Sequence, residues 1–126
     1  MTRKKKARFL LIFGTRPEAI KMAPLVPALK QIGEVRVCVT AQHRKMLDQV
    51  LDFFSLRADY DLNIMKEDQS LFTVTSGSLR LLEGIIDDCR PDIILVQGDT
   101  TTAFVGALAG ECEWRASHPC LCTRAL

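Results

Sequence analysis

The sequence predicts an α/β fold, a Rossmann-like domain built on a parallel sheet, and three of its features support this. Short apolar runs without polar interruption recur along the chain, which is typical of strands buried on both faces. Longer segments with helical periodicity separate these runs. Glycine directly follows the first run, at Gly14, and also follows the last one closely, at Gly98. Strands that alternate with helices are expected to lie parallel and to be joined by right-handed crossovers.

The first element is a predicted strand over Arg8–Phe13, and Gly14 ends it. A helix is expected to start directly afterwards. Thr15 and Glu18 have the spacing of a capping box, and Pro17 suits a first helical turn.

Two prolines, Pro24 and Pro27, fall inside this helical pattern and remove backbone donors, which predicts a break near Ala23. A second strand is predicted over Val35–Thr40, followed by a helix over His43–Phe54. The apolar stripe of that helix is predicted to comprise Met46, Leu47, Val50, Leu51 and Phe54.

The second half of the chain repeats the alternation. Asp59–Met65 is a connection with room for a short strand, and Leu71–Cys89 is a predicted long helix that Arg90–Asp92 ends. Ile93–Val96 is a further buried strand, and a helix is expected over about Thr100–Ala109. The residues predicted to face inward from the long helix are Val74, Leu81, Leu82, Ile85 and Ile86.

Charge is distributed unevenly along the chain. There are 17 basic and 15 acidic residues, giving a net charge of +2, and five of the basic residues lie among the first eight. Residues 1–7 are therefore predicted to form a basic, disordered tail. Such a tail can also contact nucleic acid or an anionic surface. No aromatic residues are interleaved with these charges, so nucleic acid is not an expected partner.

The sequence also limits the cellular setting. No apolar run approaches the ~20 residues that a membrane helix needs. The basic start is followed by neither a long apolar segment nor a small-residue cleavage site, so a secretion signal is not expected. The chain has five cysteines, which are predicted to be reduced thiols in a cytoplasmic protein that does not bind membranes.

Three polar segments follow the predicted strands, at residues 14–16, 40–43 and 97–100. In parallel sheets these segments should converge at the carboxyl ends of the strands, where ligands bind. Arg16 and Lys21, beside a helix start, suit a diphosphate, although both could be ordinary surface charges. The glycine patterns of ATP-binding and dinucleotide-binding loops are absent.

Four sequence motifs make a family resemblance specific. They are GTRPEAIKMAPL at 14–25, TAQHR at 40–44 with MLDQV at 46–50, DYDLNIM at 59–65 and GDTTT at 98–102. In this order they resemble the amino-terminal part of the non-hydrolysing UDP-N-acetylglucosamine 2-epimerases. The resemblance covers about residues 8–109, which are predicted to be one truncated Rossmann-like domain.

This resemblance implies an incomplete amino-terminal half of a two-domain GT-B-type fold. It implies interconversion of UDP-N-acetylglucosamine and UDP-N-acetylmannosamine by elimination and re-addition of UDP, without NAD, metal or another cofactor. It also implies that full-length members are homodimers and act in the synthesis of cell-envelope polysaccharides.

The resemblance also assigns residues to the site. Asp99 would be a catalytic carboxylate, and Arg16 and Lys21 would bind the substrate. The position of Asp99 alone favours a role as the cap of the helix that follows, and the two roles are compatible. Gln42 would contact an activating second sugar nucleotide, but Asp68 occupies the place of an arginine often found at that second site.

The resemblance ends after Ala109. Residues 110–126 are predicted to be an unrelated tail without strand character, because the expected segment of the type HVEAGLR, with its catalytic glutamate, is missing. The tail holds four potential metal ligands, Cys112, His118, Cys120 and Cys122, but their spacing is not that of a standard zinc site. Our hypothesis for the tail is a shifted reading frame, which the encoding DNA would test. The predicted product is an inactive epimerase fragment; the alternative is a non-catalytic sugar-nucleotide-binding module.

Overall fold

A computed structural model describes residues 5–40, 44–63, 69–117 and 122–125. In chain order the elements are β1 Ala7–Phe13, α1 Arg16–Met22, α2 Leu25–Lys30, β2 Gly33–Val39, α3 Arg44–Phe53, β3 Tyr60–Asp61, α4 Leu71–Cys89, β4 Ile93–Val96, α5 Thr101–Ser117 and β5 Cys122–Ala125. No helix in these ranges is both long and apolar enough to cross a membrane.

The described strands form one sheet in the order β3-β2-β1-β4-β5, and every pairing is parallel. β1 lies at the centre and is buried from Phe9 onward, which explains why its sequence is apolar without alternation. The parallel α/β fold predicted from the sequence is therefore confirmed.

Helices cover both faces of the sheet. One apolar core lies under α1, α2 and α3, and a second lies under α4 and α5. Alternate residues of β1 contribute to the two cores, with Leu11 and Phe13 in the first and Leu10 and Ile12 in the second. The helices that come after β3 in the chain thus lie on the other face of the sheet. The helices that follow β1 and β4 are therefore on opposite sides of it.

The predicted break near Ala23 is confirmed. α1 ends at Met22 and α2 begins at Leu25, so that α1 is only seven residues long. Pro24 and Pro27 cannot donate the backbone hydrogen bonds that a continuous helix would require.

The prediction that Met46 and Leu81 belong to the core is wrong. Met46 is 50% exposed and Leu81 is 44% exposed. In α3 the buried residues are Leu47, Val50 and Leu51, and Met46 lies beside this stripe rather than on it. In α4 the buried residues include Ser78, and Leu81 lies outside this buried stripe. The hydroxyl of Ser78 donates to the carbonyl oxygen of Val74 at 2.6 Å.

Both ends of the chain differ from the prediction. Ala7 already belongs to β1, so this strand begins one residue before the predicted boundary. α5 continues past Ala109 to Ser117, and the predicted absence of a strand after it is wrong because Cys122–Ala125 pairs with β4. The reason is that the edge of β4 offers unpaired backbone donors and acceptors, and a short parallel strand satisfies them.

Candidate active site

Three polar loops follow the carboxyl ends of β1, β2 and β4 along one edge of the sheet. We call residues 14–16 loop 1, residues 40–43 loop 2 and residues 97–100 loop 3; of loop 2 the structure describes Thr40 alone. β1 and β4 are neighbours, although the helices that follow them cover opposite faces. Open α/β sheets bind ligands at such a switch point, and loops 1 and 3 flank it.

The side chain of Glu18, in the first turn of α1, connects loop 1 to loop 3. It is only 3% exposed. Its Oε2 accepts hydrogen bonds from the backbone N–H of Gly14 at 2.8 Å and of Thr15 at 3.2 Å. Its Oε1 accepts a hydrogen bond from the hydroxyl of Thr100 in loop 3. The carboxylate is therefore satisfied by donors from both sides of the switch point.

Loop 2 is tied to the same place through a pair of buried threonines. The hydroxyls of Thr40 and Thr102 are 2.9 Å apart, and the backbone N–H of Thr40 donates to the carbonyl oxygen of Phe13 at 3.1 Å. Gly14 lies between these threonines with no space for a side chain, since a Cβ there would be 1.9 Å from Oγ1 of Thr40. The first residue of loop 1 is thus held by contacts from loop 2 and from α5.

Thr100, rather than Asp99, caps α5. The Thr100 hydroxyl accepts a hydrogen bond from the backbone N–H of Ala103 at 3.2 Å, which is the usual N-cap arrangement. Asp99 is exposed, and no other residue of the described ranges forms a hydrogen bond or an ion pair with it. Gly98, with φ of 87°, makes the turn that precedes Asp99. The capping role considered for Asp99 is therefore filled, and its carboxylate faces solvent.

The two predicted cations lie on the exposed side of α1. Arg16 is the first residue of that helix, next to loop 1, and Lys21 is in its last turn. Their separation of five positions corresponds to about 7.5 Å along the helix axis. Only Arg16 is therefore placed directly at the edge of the sheet that carries the three loops.

Comparison with known proteins identifies the lineage. A family model described as UDP-N-acetylglucosamine 2-epimerase matches residues 28–113. The chain belongs to this family. The UDP-N-acetylglucosamine 2-epimerase of Bacillus subtilis is 59% identical over 107 residues, which make up 83% of this chain and 28% of that relative.

Solved structures agree with this assignment to the epimerase family. A crystal structure of a UDP-N-acetylglucosamine 2-epimerase has a TM-score of 0.85 at 50% identity, covering 98% of this chain and 32% of the other. The Neisseria meningitidis enzyme, solved bound to UDP-GlcNAc, has a TM-score of 0.77 at 51% identity, covering 84% and 30%. The chain thus spans less than a third of these relatives.

The family predicted from the four motifs is confirmed by these matches. The family match extends to residue 113, past the predicted boundary at Ala109, and α5 continues through that boundary as well. Gln42, predicted to contact an activator, and Asp68, the departure from the activating site, lie outside the described residues. Their roles, like those of the other site residues, stay predictions.

The tail that carries the potential metal ligands is only partly described. His118 and Cys120 lie outside the described residues. Within the described ranges, no three side chains of the types that ligate metals lie close enough together to hold an ion.

Sequence reasoning missed the residues that join the epimerase loops. The sequence indicates Glu18 only as the partner of Thr15 in a capping box, and it assigns no individual role to Thr40 or Thr102. The signal that could identify them is their position. Glu18 and Thr40 lie within five residues of the carboxyl end of a buried strand. Thr102 lies in the first turn of the helix that follows such a strand. Only the topology pairs Glu18 with Thr100, because 82 residues separate them.

Two surface grooves lie away from these loops. One, of about 290 Å³, is lined by residues at the starts of β1 and β2 and the end of α4, including Arg8, Arg36 and Tyr60. The hydroxyl of Tyr60 donates to Asp88 at 2.5 Å, and this hydrogen bond raises the pKa of Tyr60. The other groove, of about 460 Å³, lies between β2 and the ends of α2 and α3. Neither groove is lined by loop 1 or loop 3.

Proposed function

We propose that this chain forms the amino-terminal part of an epimerase site for UDP-N-acetylglucosamine. The observation that carries the proposal is the hydrogen bond from Thr100 to Glu18, which joins loops 1 and 3 at the switch point of the sheet. Arg16 and Asp99 lie in the two loops that this bond joins, and both side chains are exposed, so that a ligand can reach them. A cation and a carboxylate at one switch point match a sugar nucleotide that reacts next to its diphosphate.

In the proposed reaction, loss of the C2 proton and of UDP from C1 leaves a C1–C2 double bond. UDP and a proton then add back, with the proton on the opposite face of C2, giving UDP-N-acetylmannosamine. The guanidinium of Arg16 presents paired N–H donors to the departing diphosphate, and Lys21 adds a second positive charge. Asp99 supplies a carboxylate for proton transfer at the sugar. The proposal includes neither NAD nor a metal ion.

We further propose that full-length members act as homodimers in the cytoplasm. Exposed apolar side chains on the outer helices support an assembly that covers them. Phe72 of α4 is 87% exposed, and Phe104 of α5 is also exposed. Exposed apolar side chains mark a contact site where they group into a surface patch.

Calorimetry with UDP and with UDP-N-acetylglucosamine tests the binding role on this chain. Arg16→Ala should weaken UDP binding by about tenfold or more, because a charge-assisted hydrogen bond contributes ~1.5–3 kcal/mol. Arg57→Ala, an exposed arginine in the groove between β2 and α3, is the matched control and should leave the affinity unchanged. Equal affinities of the Arg16→Ala and Arg57→Ala variants would contradict the assignment of Arg16.

A graft tests catalysis separately from binding. The 126 residues alone are expected not to turn over substrate, since the chain spans 28% of the Bacillus subtilis relative. Residues 5–109 would replace the matching segment of that relative, and product formation would be followed by NMR. An active graft that loses turnover with Asp99→Asn, but not with Asp87→Asn on the exposed side of α4, supports the epimerase role. A graft that binds substrate without turnover favours the non-catalytic module.

A further inference from the structure

Glu18 is a buried acidic residue whose partners are neutral. Among the described residues, its hydrogen-bond donors are the N–H groups of Gly14 and Thr15 and the hydroxyl of Thr100. None of the ion pairs within the described ranges includes it. Burying a carboxylate is unfavourable unless hydrogen bonds replace its water, so each of these donors is held firmly.

The contact with Thr100 also fixes the direction of its hydroxyl. That hydroxyl accepts from the backbone N–H of Ala103 at 3.2 Å, so its proton is available to Glu18. A continuous series of hydrogen bonds therefore runs from the backbone of loop 1 through Glu18 to the first turn of α5. Arg16 follows Gly14 and Thr15 in the sequence, and Asp99 directly precedes Thr100.

We propose that Glu18 is a positioning residue, which sets the distance between Arg16 and Asp99 by holding loops 1 and 3 together across the switch point. This inference rests on the proposed function, because its consequence is the placement of a diphosphate and of the sugar next to it. The carboxylate itself is enclosed and does not contact the ligand. It acts through the two loops.

The first test is NMR of the 126-residue chain with Glu18→Gln, which keeps the size of the side chain and removes its charge. The amide resonances of Asp99, Thr100 and Ala103 should shift, although they lie more than 80 residues away in sequence. Glu83→Gln, at an exposed position of α4, is the matched control and should leave these resonances in place. Unchanged loop 3 resonances in the Glu18→Gln variant would overturn the proposal.

The second test measures coupling through UDP affinity. Glu18→Gln and Thr100→Val should each weaken binding by about tenfold, and the double variant should bind no more weakly than the weaker single variant. Thr100→Ser keeps a hydroxyl and should restore affinity, which a loss of fold would not do. Additive losses in the double variant, or a Thr100→Ser variant as weak as Thr100→Val, would refute a shared role.

The two proposals fail in different ways. If the unsubstituted chain does not bind UDP, the binding role proposed for it fails, while the NMR shifts at loop 3 still decide whether Glu18 positions that loop. If the unsubstituted chain binds UDP and Glu18→Gln binds equally well, the binding role stands and the positioning role is wrong. Should Thr100→Val not fold, Glu18→Gln and Thr100→Ser still provide the comparison.

Discussion

The hydroxyls of Thr40 and Thr102 lie 2.9 Å apart and enclose the backbone of Gly14 at the end of the central strand. This contact joins the loop after β2 to the first turn of α5, 62 residues later in the chain. Both threonines are buried. The carboxyl edge of the sheet is therefore a packed structure beneath the exposed side chains, which explains how short loops can hold a fixed arrangement.

Gly14→Ala should destabilise the protein by ~1–3 kcal/mol, as overpacking of a buried site does. The new Cβ would meet Oγ1 of Thr40 at 1.9 Å and Oγ1 of Thr102 at 2.9 Å, so their hydrogen bond would have to break. Gly84→Ala is the control, because nothing lies within 4 Å of that position on α4. It should stabilise the helix by ~0.5–1 kcal/mol. Urea unfolding measures both free energies, and equal effects would contradict this close packing around Gly14.

The threonine pair should behave as a unit. Thr40→Val or Thr102→Val alone leaves one buried hydroxyl without this partner, which costs about 1–3 kcal/mol. The double valine variant should lose less than the sum, since neither position then carries a polar group that needs a partner. A double-mutant cycle on the free energies of unfolding gives the coupling. Strict additivity would show that the two hydroxyls do not interact.

Stability should fall at alkaline pH because of Cys38. Burial raises the pKa of this thiol from 9.0 to about 12. The thiol stays protonated in the folded protein above pH 9, while the unfolded chain loses the proton. The free energy of unfolding should therefore fall by up to about 1.4 kcal/mol per pH unit between pH 9 and 12.

The variant Cys38→Ala tests this pH dependence. Its unfolding free energy should decline less steeply between pH 9 and 10 than that of the original chain. Cys112→Ala, at an exposed position of α5, controls for the loss of a thiol. Tyr60 also has a raised pKa and adds a decline of the same sign at higher pH, so the comparison belongs below pH 10. Parallel profiles for the two variants would rule out Cys38 as the cause.

Elements with local causes could be predicted from the sequence. The bounds of α4, Leu71–Cys89, and of β4, Ile93–Val96, match the prediction, because turn residues and apolar periodicity define them. The break at Ala23 follows from the missing N–H groups of two prolines within a few residues. The same holds for loop convergence, since parallel strands bring their carboxyl ends together whatever the loops contain.

Features with distant causes could not be predicted. β5 forms because β4 offers a free edge, and nothing within Cys122–Ala125 indicates that edge. The contact from Glu18 to Thr100 depends on β1 and β4 becoming neighbours, whereas Thr15 and Glu18 satisfy a local capping pattern on their own. The capping pattern is correct but incomplete, because the carboxylate of Glu18 has enough lone pairs to accept from both Thr15 and Thr100.

The last prediction separates the helix cap from the proposed catalytic carboxylate. Thr100→Ala should lower the free energy of unfolding by at least ~0.5–2 kcal/mol, because the N–H of Ala103 loses its acceptor and the buried carboxylate of Glu18 loses a donor. Asp99→Ala should change it by less than about 0.5 kcal/mol, since Asp99 is exposed and bonds to no described residue. Urea unfolding of the two variants makes the comparison.

The direction of this difference is what matters for function. A carboxylate that served as the cap would be held against the helix backbone, with one of its oxygens accepting from a backbone N–H. If Asp99→Ala were the more destabilising change, the cap would belong to Asp99, and the division of roles between Asp99 and Thr100 would be wrong. If Thr100→Ala is the more destabilising change, loop 3 divides its tasks between neighbours: Thr100 anchors the helix and Glu18, and Asp99 stays free for the catalytic role proposed for it.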